Sequence, residues 1–124
     1  MVFDIDRKFR FRKFTVYQLA RQFVSHVRRY ARSFPDGERY ILTAQLLRAA
    51  NSIVLNIAEG SNRSSDKDFA LFLNYALASL NEVVACCDVA VDCGCLTHQE
   101  RDEVLSSAAE LGNQLSAFRK RLLE

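Results

Sequence analysis

A chain of 124 residues, 49% hydrophobic and 26% charged, fits a single globular domain, and one Pro with four Gly leaves few turns and hence long elements. No run approaches the ~20 apolar residues of a membrane span, and charges stand where a signal peptide carries its apolar core, so a cytoplasmic protein without a membrane partner is expected. The net charge of +2 hides an asymmetry: nine Lys/Arg against two Asp give +7 over residues 1–32, residues 33–63 balance, and five basic against ten acidic residues give −5 over 64–124.

Residues 1–13 alternate, with Phe3, Ile5, Phe9 and Phe11 on one side and Asp4, Asp6, Lys8, Arg10 and Arg12 on the other. A period of two predicts an extended N-terminal arm, docked on a neighbouring subunit or frayed, ahead of a bundle domain over 14–124.

A first helix is expected from about Phe14 to Arg32. Val16, Leu19, Ala20, Phe23, Val24, Val27, Tyr30 and Ala31 share one arc, and Arg21, Ser25, Arg28, Arg29 and Arg32 the opposite one. Such an arginine stripe can follow a phosphate backbone, or it is a solvated or salt-bridged face. No aromatic residue interleaves the arginines, which argues against stacking on single strands.

Ser33-Phe34-Pro35-Asp36-Gly37 breaks the pattern and opens a second helix, Glu38 to Gly60, with Pro35 in its first turn and Gly60 as a left-handed cap. At 100° per residue, Glu38, Gln45, Arg48, Ser52, Asn56 and Glu59 form one narrow polar stripe. Nearly everything else on this helix is Ile, Leu, Val or Ala, so it must be covered on more than one face.

The third helix, about Asp66 to Cys93, starts at the capping-box-like Ser65/Asp68 and ends at Gly94; it too is apolar beyond one stripe. Thr97 and Glu100 form a capping box for a fourth, His98 to Leu122, with a narrower apolar stripe and faces suited to water. Short connections between four long helices predict an all-α, up-down-up-down antiparallel four-helix bundle. The apolar excess of the second and third helices predicts a homo-oligomer.

Cys86, Cys87, Cys93 and Cys95 lack the paired spacing of a metal site. Cys86 and Cys93 are roughly 10 Å apart by helix rise, too far for a disulfide. Buried thiols in a reducing compartment explain them better than a Cys93–Cys95–His98 zinc site.

F-P-x-x-E (Phe34, Pro35, Glu38), Q-L-x-R-A-A-x-S-I (Gln45 to Ile53), N-I-A-E-G (Asn56 to Gly60), D-F-x-x-F-L (Asp68 to Leu73) and S-L-x-E (Ser79 to Glu82) resemble motifs of the four-helix-bundle proteins encoded within intervening sequences of 23S ribosomal RNA genes. The resemblance runs from about Phe14 to Leu122; Ala78 stands where the family usually has Gly, and the cysteines are not a family feature. It implies a ring-shaped homopentamer. A related branch, the more basic accessory proteins of diversity-generating retroelements, binds a reverse transcriptase and nucleic acid. Most members have no established biochemical role.

The polar stripe coincides with these motifs. Arg48 stands within reach of carboxylates along the stripe or of Glu82 across on the third helix, which points to a structural hydrogen-bonded network rather than a ligand site. His26 and His98 have no nucleophile or carboxylate partner in the pattern, and there is no phosphate loop or cofactor motif, so no enzyme and no cofactor are expected. The expected role is an oligomeric scaffold or adaptor for a protein or nucleic acid. The alternative is a nucleic-acid binder using Arg21, Arg28, Arg29 and Arg32.

Overall fold

The computed structural model describes residues 4–37 and 39–124. Among them every regular element is helical: α1 (Ile5–Lys8), a 3₁₀ turn (Arg10–Lys13), α2 (Thr15–Ala31), α3 (Arg39–Ser61), α4 (Asp66–Asp92) and α5 (His98–Leu123). The four long helices α2 to α5 match the four expected from periodicity, within a residue or two at each end.

The expected extended arm is not extended. Asp4 accepts a hydrogen bond from the Arg7 N–H at 3.1 Å, and Asp6 pairs with Arg12 at 3.6 Å and Lys13 at 3.8 Å. These local contacts favour coiling over the pleat that a period of two suggested. The arm returns to its own chain: Phe11 meets Tyr17 edge-on at 5.0 Å, and Arg10 donates to the Ser61 carbonyl at 2.8 Å. Phe3, the first apolar residue of that pattern, lies outside the described residues, as does Glu38 of the polar stripe.

α2 ends where the Ser33 and Phe34 N–H groups turn back to Tyr30 and Ala31. Phe34 is buried in the core, and Gly37 takes φ +91°, a left-handed conformation that suits glycine. Pro35 is therefore in the turn, four residues ahead of α3, and not in the first turn of the helix. Gly60 is a second correction. It remains helical, and its lack of a side chain serves close packing against Phe69 and Phe72 of α4 instead of a cap.

The remaining boundaries follow local chemistry. Ser65 Oγ accepts the Asp68 N–H at 3.1 Å to open α4. Gly94, at φ +79°, closes the connection after α4. The reciprocal box of Thr97 and Glu100, at 3.0 and 2.9 Å, starts α5.

α3 makes its most extensive contacts with α4; α4 also packs on α5, and α2 touches both α3 and α5. One core results, with Val27 from α2, Ile53 and Ile57 from α3, Leu73 and Val83 from α4, and Leu111 and Leu115 from α5 all buried. Burying each such side chain stabilises the fold by about 1.5–3 kcal/mol before entropy is counted. At one end Phe14, Phe69 and Phe118 meet with ring centroids 5.3 to 6.1 Å apart, and the Arg10 guanidinium lies over Phe14 and Phe69.

Contrary to the expectation from uninterrupted apolar runs, Tyr40–Ser61 and Asp66–Asp92 are long and apolar enough to cross a membrane by length and composition. Both contribute to the core, yet both also leave large apolar groups outside it. On α3 these are Tyr40, Ile41 (74% exposed) and Leu55, and on α4 they are Leu71, Tyr75 and Val89.

Candidate anion-binding groove

The arginines of α2 and its C-cap fall at positions 21, 28, 29 and 32, and helical geometry carries all four to one side of the helix. They line a single open groove of about 830 Å³ between α2 and α3. Asn51, Val54 and Leu55 supply the α3 wall, while Val24 contributes apolar surface from α2. The groove thus has a cationic rim with apolar patches. Among the described residues, no Asp or Glu lines it.

Two of the guanidinium groups are positioned by neighbours that leave their charge uncompensated. Arg28 donates to Asn51 Oδ1 at 3.1 Å, and Arg21 lies over the Tyr17 ring at 5.7 Å. Among the described residues, none of Arg21, Arg28, Arg29 and Arg32 is in an ion pair. Guanidinium groups converging without carboxylates suit a ligand rich in anionic oxygens, which accept paired N–H donors. Among the described residues, the lining holds no His, Cys or carboxylate beside Ser25 that could activate its hydroxyl.

A smaller depression of about 240 Å³ lies between α2 and α5, and Arg29 borders both. His26, Ser107 and Glu110 line it, a grouping that the sequence separation of α2 and α5 conceals. No hydrogen bond among the described residues joins these three; His26 instead packs against Tyr30, with ring centroids 5.1 Å apart. Nearby, the Tyr30 hydroxyl donates to Glu103 of α5, and this bond, then burial and the Glu103 charge, push the tyrosine up to about 12.

The polar stripe of α3 divides. Asn56 Nδ2 donates to the Ser52 carbonyl at 2.8 Å and to Ser52 Oγ at 3.0 Å, and Ser79 Oγ of α4 donates to Ser52 Oγ at 2.9 Å. Those bonds tie α3 to α4 through Ser52 and Ser79. Gln45, Arg48 and Glu59 are exposed, as is Glu82 on α4, and no ion pair joins Arg48 to Glu59 or Glu82. Solvent screens those charges, so nothing forces them together. Sequence reasoning missed Asn51, which falls off the stripe and faces Arg28 instead. The recurrence of Gln18, Gln22 and Ser25 at helical spacing with the arginines was the signal for the α2 wall.

Cys86 and Cys87 are buried, and burial pushes the Cys87 thiol up to about 12. Cys93 and Cys95 are half-buried, with their sulfurs 3.2 Å apart. No group of three or more His, Cys, Asp or Glu among the described residues is arranged to hold a metal.

A family model described as 23S rRNA-intervening sequence protein matches residues 12–117. No curated protein matches the chain. Among solved structures, the chain is similar to a Bacteroides thetaiotaomicron protein of the S23 ribosomal protein family, itself described as of unknown function. That likeness has a TM-score of 0.77 at 21% identity and covers 86% of this chain and 99% of the other; at such identity it concerns the fold alone.

Proposed function

We propose a function for a chain that belongs to the 23S rRNA-intervening sequence protein family: a non-enzymatic helical scaffold that binds nucleic acid along the arginine groove. The observation that carries this reading is the convergence of Arg21, Arg28, Arg29 and Arg32 on one groove with no carboxylate among the described lining residues. Phosphate oxygens in a row match that pattern, and each neutralised phosphate releases counterions. The apolar surface of Val24, Val54 and Leu55 accommodates the sugar faces between phosphates.

In this reading the helices run up-down-up-down as an antiparallel bundle in the cytoplasm. The short connections 62–65 and 93–97 support that order, as does the meeting of Phe14 and Phe69, early in their helices, with Phe118, late in its own. The bundle assembles into a ring-like homo-oligomer, a homopentamer by family resemblance. Tyr40 and Ile41, each more than 70% exposed, favour such assembly, since apolar groups of that size are normally covered.

The test is RNA and DNA binding by the purified oligomer over a salt series, its mass fixed beforehand by light scattering. Binding should weaken steeply with salt and be lost in the Arg21→Glu/Arg28→Glu/Arg32→Glu variant. No binding at low salt by an intact oligomer overturns the nucleic-acid reading and leaves a scaffold for a protein partner, which the exposed apolar face of α3 and α4 favours.

A further inference from the structure

The connection between α4 and α5 contains Cys93-Gly94-Cys95, and its chemistry is independent of the groove. We propose that Cys93 and Cys95 are a thiol–disulfide exchange site that closes to an intramolecular disulfide by reaction with a small-molecule disulfide of the glutathione class.

Three observations carry this. The sulfurs are already 3.2 Å apart, so forming the bond needs a displacement of about 1 Å and no rearrangement of helices. The backbone between them is set: Gly94 takes φ +79° with open space around its Cα, and the Cys95 and Leu96 N–H groups converge on the Ala90 carbonyl at 2.7 and 3.2 Å. Leu96, buried in the core, anchors the far side of the turn. The entropy of bringing two thiols together has therefore been lost on folding, which raises the effective concentration of one sulfur at the other. Finally, both side chains are only half-buried, so a small disulfide can approach them. Cys86 and Cys87 differ on this last point: both are buried, and burial raises both thiols.

The reaction balances in two exchanges. One cysteine sulfur, as thiolate, attacks a sulfur of R–S–S–R, forming a mixed disulfide and expelling RS⁻, which takes up a proton. The second cysteine sulfur, having lost its proton, attacks the protein-side sulfur of the mixed disulfide and expels the other RS⁻. The protein loses two protons and two electrons, and one R–S–S–R becomes two R–SH.

The test equilibrates the purified chain with oxidised and reduced glutathione at varied ratios, quenches with an alkylating reagent and maps the cysteines by mass spectrometry. The expected product lacks two hydrogens, carries a Cys93–Cys95 bridge and retains Cys86 and Cys87 as alkylated thiols. In Cys95→Ser the bridge should vanish, and a stable glutathione adduct should accumulate on Cys93. Accumulation of adducts on the wild-type pair, closure of Cys86–Cys87 first, or no oxidation overturns the proposal. The helical circular-dichroism signal should survive closure; its loss would also overturn it, because closure would then require the end of α4 to rearrange.

Discussion

Gly60 of α3 lies directly against Phe72 of α4: a Cβ on Gly60 would come 2.7 Å from Phe72 Cβ and 2.8 Å from Phe69 Cδ1. Phe72 Cβ is tied to its own backbone, so relief requires moving a helix. Gly60→Ala gains about 1 kcal/mol of helix propensity but incurs an overpacking cost of about 1–3 kcal/mol. We expect a lower thermal midpoint. Gly112→Ala is the contrast, because its nearest neighbour, Leu80 Cδ2 at 3.3 Å, ends a flexible side chain. That variant should be neutral or more stable, and the two midpoints moving together would contradict the packing argument.

Ser52 receives bonds from Asn56 and from Ser79 on the facing helix. Ser52→Ala should cost about 1 kcal/mol by denaturant titration. A double-mutant cycle with Ser79→Ala should show coupling, the double variant losing less than the sum of the singles. Strict additivity would place the two hydroxyls in separate environments.

Tyr30 is held neutral by its hydrogen bond to Glu103, and its pKa rises from the ordinary value of 10 to about 12. The folded chain thus keeps a proton that the unfolded chain releases. This contribution is full below about pH 10 and is lost as pH rises through about 12. Stability measured over that window should fall more steeply for the wild type than for Tyr30→Phe. Parallel curves would remove Glu103 as the cause.

The proposed homo-oligomer would be held through the exposed apolar groups of α3 and α4. Replacing Ile41 and Tyr75 by Glu should leave helical content unchanged, since both side chains are outside the core. It should lower the mass measured by light scattering. An unchanged mass would remove this face from the subunit interface.

The long helices were legible because their apolar residues recur every three or four positions over many turns, a signal that single polar residues do not erase. The side-chain caps of two long helices, Ser65 and Thr97, were legible for a related reason: the contact lies within four residues. Gly60 was not. A glycine near a helix end looks the same in sequence whether it reverses the chain or admits a neighbour, and Phe69 and Phe72 decide the matter across a gap in sequence. The arm failed similarly, because the ion pairs of Asp6 with Arg12 and Lys13 compete with an alternating pattern too short to prevail. In the groove, four arginines were readable as one stripe, whereas Asn51 became a partner only once α3 was placed beside α2.

The ring triangle of Phe14, Phe69 and Phe118 has a consequence for synthesis. Its corners come from the starts of α2 and α4 and the last turns of α5, and Arg10 caps the first two. A chain growing from the ribosome makes Phe14 early but supplies Phe118 only after more than a hundred further residues. Until then this end of the core stays open, with Phe14 and Phe69 lacking their third ring. Folding of this domain is therefore completed after translation has passed α5, not helix by helix as each one emerges.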